Sequence, residues 1–240
     1  NLSSRQVLSV ARQLGKEKIL CEMYAATGWD ITPRELKNLT ENMYLNGVNI
    51  SCQHLLPYSE RASRANDYPA HFSKENPWVR YNFKDYNDYF TSLGAVLSES
   101  QENVKVAVLH PVHTAYLYYT KYEDAPDINV VDEIDDKFKK TLEKLNNKNI
   151  SYHFIDEVLL SKYGKVENNT ICCGECKYDY LVIPAGLETM DEFTEQLVSQ
   201  YVKAGGKVLI DGEKPKYIAW KPFGYDYLNT NTSYDEIQAD

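Results

Sequence analysis

Short apolar runs of strand length alternate with helix-patterned segments along this chain, and the links between them are too brief for anything but parallel βα units. Residues 1–14 carry a helical pattern, with Val7, Leu8, Val10, Ala11 and Leu14 apolar and Gly15 as a stop. Lys18-Ile19-Leu20-Cys21 fits a buried strand that ends at Glu22. Thr32-Pro33-Arg34-Glu35 predicts a helix start, with a capping Thr, Pro at the first helical position and Glu three residues after the cap. That helix should run to about residue 45 and stop at Gly47. A second strand, Val48-Asn49-Ile50-Ser51-Cys52, leads to Gln53 and His54.

A second series follows. Residues 53–82 form a long loop rich in Tyr, Arg, Asp, Asn and Pro, of a length that is usually functional. Helices are predicted over 85–97, 132–145 and 188–204, and strands over 104–109, 150–155, 178–183 and 207–210. Turn signals at Gly164 and Asn168-Asn169 place a small hairpin within 163–176. The alternation implies an α/β layer fold with a mostly parallel sheet. The first piece, 1–100, has only two strands and reads as the last βα units of a (β/α)8 barrel with a long active-site loop. The second, 101–212, can form a small flavodoxin- or amidotransferase-like sheet alone, and 213–240 reads as a linker or the start of another module.

Composition removes several function classes. Of 240 residues, 35 are acidic and 26 basic, so the formal charge of −9 argues against a nucleic-acid partner, which would need a basic face. No apolar run approaches the roughly 20 residues that cross a bilayer, and no membrane partner is expected. The first residues carry neither an initiator Met nor a signal-peptide pattern, which reads as the inside of a longer polypeptide. Tyr accounts for 20 residues, a flat ring with a polar tip that suits sugar stacking and equally suits any wet, partly buried surface.

Glu22 is the first candidate for chemistry, because a carboxylate at the end of a parallel strand faces the loop side where barrel enzymes keep their active sites. Glycosidases need two such carboxylates, one to protonate the leaving oxygen and one to attack or to activate water. The competing reading is a solvated or ion-paired residue. His54, at the end of the next strand, would point into the same mouth, or serve as a structural hydrogen-bonder. The loop adds Tyr58, Arg61, Arg64, Asp67, Tyr68 and Trp78: Arg and Asp to grip hydroxyls or a uronate, aromatic rings to stack on a sugar face. Arg–Asp pairs that knit the loop to the barrel rim are the alternative.

Five cysteines make no disulfide framework, and the single C-x-x-C, Cys173 to Cys176, lacks the second pair that a structural zinc site wants. His110 and His113 form a loose pair at a strand end, too little for a metal assignment. An amidotransferase needs a Cys elbow after a strand, and Ile183-Pro184-Ala185-Gly186-Leu187 has none. Neither G-x-G-x-x-G nor a Walker loop is present.

The stretch Glu22-Met23-Tyr24-Ala25-Ala26-Thr27-Gly28-Trp29-Asp30, with Gly47-Val48-Asn49 and Gln53-His54-Leu55, resembles the end of the catalytic barrel of bacterial glycoside hydrolases of the α-L-rhamnosidase type (family 106). Tyr58, Arg61, Arg64, Asp67-Tyr68-Pro69, Phe72-Ser73 and Asn76-Pro77-Trp78 are similar to the segment that follows there. The strands after Val104 resemble the glutamine-amidotransferase-like domain beyond that barrel, as also found in β-galactosidases with a trimerisation domain. The resemblance implies a catalytic carboxylate at Glu22, a sugar site lined by His54 and Trp29, and a carbohydrate substrate. It implies no cofactor here; calcium is an expectation for the parent enzyme and is not placeable on these residues. Because the partner carboxylate is absent, little activity is expected of these residues alone. The reading is thus part of a glycoside hydrolase, possible as a homo-oligomer through its second domain and with secretion natural for a polysaccharide-degrading parent. The alternative is a non-catalytic structural or oligomerisation module, with Glu22 buried or ion-paired.

Overall fold

A computed structural model describes residues 2–28, 30–54, 61, 72, 76–100, 102–119 and 128–237. It divides into two compact units, Asn1–Ala11 with Lys16–Gln101, and Arg12–Gly15 with Glu102–Asp240.

In the first unit, α1 (Leu2–Gln13) buries Leu8 and Ala11, one helical turn apart, and leaves Val7 and Val10 exposed. β1 (Leu20–Met23) leads to α2 (Pro33–Leu45), whose entry is the expected capping box: Thr32 Oγ1 accepts from Glu35 N and Glu35 Oε2 accepts from Thr32 N at 2.8 Å. Such a cap contributes about 1 kcal/mol. Leu36, Thr40 and Tyr44, four residues apart, form the buried stripe of α2. Gly47 ends it at φ +97°, a left-handed turn where a Cβ would also strike the Leu8 side chain at 2.6 Å.

β2 (Ile50–Gln53) then pairs parallel with β1, Leu20 opposite Ile50 and Glu22 opposite Cys52. Asn49 sets this pairing from the side. Its Oδ1 accepts from Ile19 N at 2.8 Å and its Nδ2 donates to Glu17 O at 2.6 Å. α3 (Pro77–Glu99) starts well before the expected residue 85, because Asn76 caps it through Trp78 N and Pro77 occupies its first position. At Gly94 the helix approaches so closely that a Cβ would lie 2.5 Å from Asn49 O. Tyr24, Phe72, Trp78, Phe83, Tyr86 and Phe90 make a contiguous aromatic core. The unit is thus a parallel βα arrangement; its two strands do not close a barrel.

The second unit contains β3 (Val106–Leu109), α4 (Val112–Tyr118), α5 (Ile128–Asn147), β4 (Tyr152–Ile155), α6 (Glu157–Tyr163), β5 (Gly164–Glu167), β6 (Thr170–Cys173), β7 (Cys176–Tyr178), β8 (Tyr180–Ile183), β9 (Thr189–Met190), α7 (Glu192–Lys203), β10 (Lys207–Ile210), β11 (Tyr217–Ile218) and β12 (Lys221–Pro222). Its central sheet is wholly parallel in the order β4-β3-β8-β10. β3, β4 and β8 are buried at every position, as parallel strands covered on both faces must be. The chain passes first to one side of β3 and then to the other, so the order switches between β3 and β8. In doubly wound sheets, ligands bind beyond the carboxyl ends of the strands at such a point.

The hairpin expected within 163–176 is a three-stranded meander, β5-β6-β7, turning at Asn168 with φ +54°. Two short helices not expected from sequence, α4 and α6, follow β3 and β4 directly. Residues 213–237, read from sequence as a linker or a further module, pack into this unit. Tyr225, Leu228 and Ile237 are buried, and Asn231 accepts from Val208 N and donates to Gly206 O. The signal is polar, since one Asn side chain completes the backbone bonds of a sheet edge.

Candidate functional site

Along β1 the side chains alternate. Cys21 and Met23 join the core under the helices, while Leu20 and Glu22 face the other way. Register puts Ile50 and Cys52 on that same face, which the described residues leave uncovered: Leu20 is 60% exposed and the Glu22 side chain 64%. Beyond Met23 the chain turns sharply at Tyr24, φ +75°, whose ring is buried with its hydroxyl against those of Thr40 and Tyr86. Burial pushes the Tyr86 hydroxyl far up, as suits a packed hydrogen-bonding group.

His54 is tied to the end of β1 by its N–H, which donates to Met23 O at 2.8 Å. Its ring lies on the Glu22 face, with Nε2 4.0 Å from Glu22 Oε1. Its Nδ1 is buried and has no hydrogen-bond partner among the described residues. The pair is an open carboxylate with an imidazole beside it, too far apart for a direct hydrogen bond.

Of the other expected site residues, Arg61 is exposed, while Trp29, Tyr58, Arg64 and Asp67 lie outside the described residues. Trp78 is not at an open surface: it packs edge-on against Phe72, Phe83 and Tyr86. The aromatic helix α3 claims it for the core.

A second constellation lies in the other unit, at the carboxyl ends of its parallel strands. His113 is the second residue of α4, Glu157 the first of α6, and Asp191 the residue that precedes α7. His113 Nδ1 is 3.0 Å from Glu157 Oε1 and 3.1 Å from Asp191 Oδ1. The Glu157 side chain is 2% exposed, and its Oε2 accepts from Asp191 N at 2.6 Å. Burial raises its carboxyl above the ordinary range, against the pull of the Asp191 amide, the Thr194 hydroxyl and His113. His113 also faces Tyr116 and Trp220, and Trp220 sits in the left-handed region at φ +69°. These three residues were invisible as a set because 44 and 34 positions separate them in sequence. The only available signal was that each follows an apolar strand.

The remaining groups are structural. His110 sits edge-on to Phe138 and Phe154, and burial lowers its pKa. His153 lies between the Tyr178 hydroxyl and Glu102. All five cysteines are free thiols, and burial pushes Cys173 up to about 12, the opposite of an activated nucleophile. No helix among the described residues is long and apolar enough to cross a membrane.

No family model and no curated protein sequence matches the chain. Among solved structures it is similar to the rhamnosidase from Novosphingobium sp. PP1Y, with a TM-score of 0.61 and 16% identity over 89% of this chain and 19% of that one. A cold-adapted beta-galactosidase from Rahnella sp. R3 aligns with a TM-score of 0.49 and 16% identity, over 87% of this chain and 30% of that one, too slight a likeness to argue from. The chain therefore shares its fold with a segment of a glycoside hydrolase and spans about a fifth of that enzyme's length.

Proposed function

We propose that this chain is part of a glycoside hydrolase in which β1 and β2 are the last strands of a (β/α)8 barrel and Glu22 is one of its two catalytic carboxylates. The observation that carries the reading is the convergence of Glu22 and His54 on one open face at the carboxyl ends of adjacent parallel strands, 4.0 Å apart. A parallel sheet is normally covered on both sides, so the bare face of Leu20, Glu22 and Cys52 is what a barrel interior missing its other strands would present. The fold likeness to a rhamnosidase supports α-L-rhamnosides as the first substrate class to try.

In this reading Glu22 serves as nucleophile or general base, and the second carboxylate comes from an earlier barrel strand. His54 lines the sugar site beside Glu22. Trp29, Tyr58, Arg61, Arg64 and Asp67 line the sugar, rings stacking on its face and Arg or Asp bonding its hydroxyls. In this reading the second unit takes no part in the glycosidase chemistry; its parallel order β4-β3-β8-β10 is compatible with a flavodoxin-like sheet, and pairing of subunits through it is part of the proposal. The non-catalytic alternative is a Glu22 that is merely solvated or ion-paired, and the comparison of Glu22 with its Gln form separates the two.

The test is hydrolysis of aryl glycosides, led by α-L-rhamnoside, by the longest polypeptide that contains this chain and by its Glu22→Gln form. The expected outcome is a fall in kcat of about 10³-fold or more with an unchanged circular dichroism spectrum. Equal rates in the two forms remove Glu22 from the mechanism.

A further inference from the structure

From the His113–Glu157–Asp191 constellation we infer a divalent-cation site of the zinc class in the second unit, independent of the glycosidase reading. The argument begins with a proton count. One imidazole nitrogen carries at most one hydrogen, yet His113 Nδ1 has carboxylate oxygens of two different residues at 3.0 and 3.1 Å. Neither approach has hydrogen-bond geometry, and both His113 Nδ1 and Glu157 Oε1 are buried without a hydrogen-bond partner among the described residues. An unsatisfied buried carboxylate oxygen is costly, and a native structure keeps one only for a reason.

Asp191 adds a separate observation. It stands at the N-cap of α7, where an Asp side chain ordinarily bonds the first free amides of the helix, and it makes no such bond. It forgoes the cap and turns its carboxylate to His113. Its own backbone amide meanwhile holds Glu157 Oε2, which fixes the Glu157 carboxyl with Oε1 directed inward.

One cation resolves all three anomalies. The donor atoms, one imidazole nitrogen and two carboxylate oxygens, lie within 4.8 Å of one another. Tetrahedral zinc with bonds of about 2.1 Å has donor–donor edges of about 3.4 Å, so the two imidazole–carboxylate distances of 3.0 and 3.1 Å need to lengthen by only a few tenths of an ångström to accept it. Two carboxylates give the site a charge of −2 against the cation's +2. One nitrogen with two oxygens suits zinc or manganese better than calcium, which takes six to eight oxygens. Three protein ligands leave a fourth position for water or substrate. The place is also where the fold would put a ligand, beyond the carboxyl ends of the parallel strands.

The experiment is calorimetric titration of the chelator-treated 240-residue chain with Zn²⁺ under reducing conditions, repeated with Co²⁺ and read by absorption. Asp191→Ser removes a ligand while restoring a helix cap, and His113→Ala removes the nitrogen. The expected result is one equivalent bound, at least 10-fold more weakly in each variant, with the metal-free Tm of Asp191→Ser no lower than that of the unaltered chain. Bound Co²⁺ should lack thiolate charge-transfer absorption. Absence of stoichiometric binding overturns the assignment. So does affinity unchanged in both variants, or a thiolate spectrum, which would move the ion to Cys173 and Cys176.

Discussion

Removing the Asn49 side chain should unfasten the two strands that carry Glu22 and His54. In Asn49→Ala two partners are stranded, Ile19 N–H and Glu17 C=O. Ile19 is 2% exposed, so its orphaned amide costs the desolvation of a buried donor, about 1–3 kcal/mol. Glu17 O is partly within reach of water, and losing that bond costs about 0.5–1.5 kcal/mol. The backbone bonds from Asn49 N and Ile50 N to Ile19 O do not involve the side chain and remain. The expected loss is therefore roughly 2–4 kcal/mol, read as a lower urea midpoint at unchanged m. Asn49→Asp supplies a sharper test. It keeps the acceptor for Ile19 N–H but sets an ionised oxygen against the Glu17 carbonyl, so its folded-state pKa must rise above the reference of about 3.9. A group raised in the folded state stabilises below its unfolded pKa and loses that stabilisation as pH climbs through the folded one. Asn49→Asp should thus be weak at pH 7 and close the gap to the unaltered chain on acidification, as the protonated acid donates to Glu17 O. Loss under about 0.5 kcal/mol in Asn49→Ala, or a gap in Asn49→Asp that stays constant with pH, would refute the clip.

Two further outcomes follow from the same geometry. Iodoacetamide at pH 8 should label exposed Cys52 first and leave Cys172 and Cys173, 1% and 0% exposed, until the chain unfolds; peptide mass spectrometry reads the order, and native labelling of Cys173 at the Cys52 rate would contradict its burial. Glu167, bonded by Lys165 and Lys177, should titrate near about 2 by carboxyl NMR and return toward its ordinary 4.5 when both lysines become Ala. Its folded pKa is depressed, so any stabilisation it gives is present above 4.5 and lost as pH falls toward about 2.

What sequence revealed and what it hid divide along a physical line. The capping box at Thr32 and the apolar runs of β3, β4 and β8 are local signals, complete within a few residues, and they appear where expected. The start of α3 was also local, an Asn cap followed by Pro, but the polar run around it read as loop. α4 and α6 have seven residues each, too short for a hydrophobic period to emerge, and α4 lacks a side-chain cap. That Glu22 and His54 stand side by side was legible because each ends a recognisable strand. His110 and His113, only a loose pair in sequence, part in the fold: one ring enters an aromatic cage and the other meets acids brought from two later elements. Such contacts depend on the sheet order, which periodicity does not encode.

The face of β1 and β2 that the described residues leave bare is graded along its length. Leu20 and Ile50 stand at the amino ends of the strands, Glu22 and Cys52 near the carboxyl ends, and His54 follows. Any surface that seals it must be dry at one end and wet at the other, with the change falling within two residues, about 7 Å. That requirement acts as an address. In the proposed barrel a covering element displaced by one strand pair would bury the Glu22 charge or wet Leu20, so correct docking of the neighbouring strands and assembly of a solvated acid would become a single event.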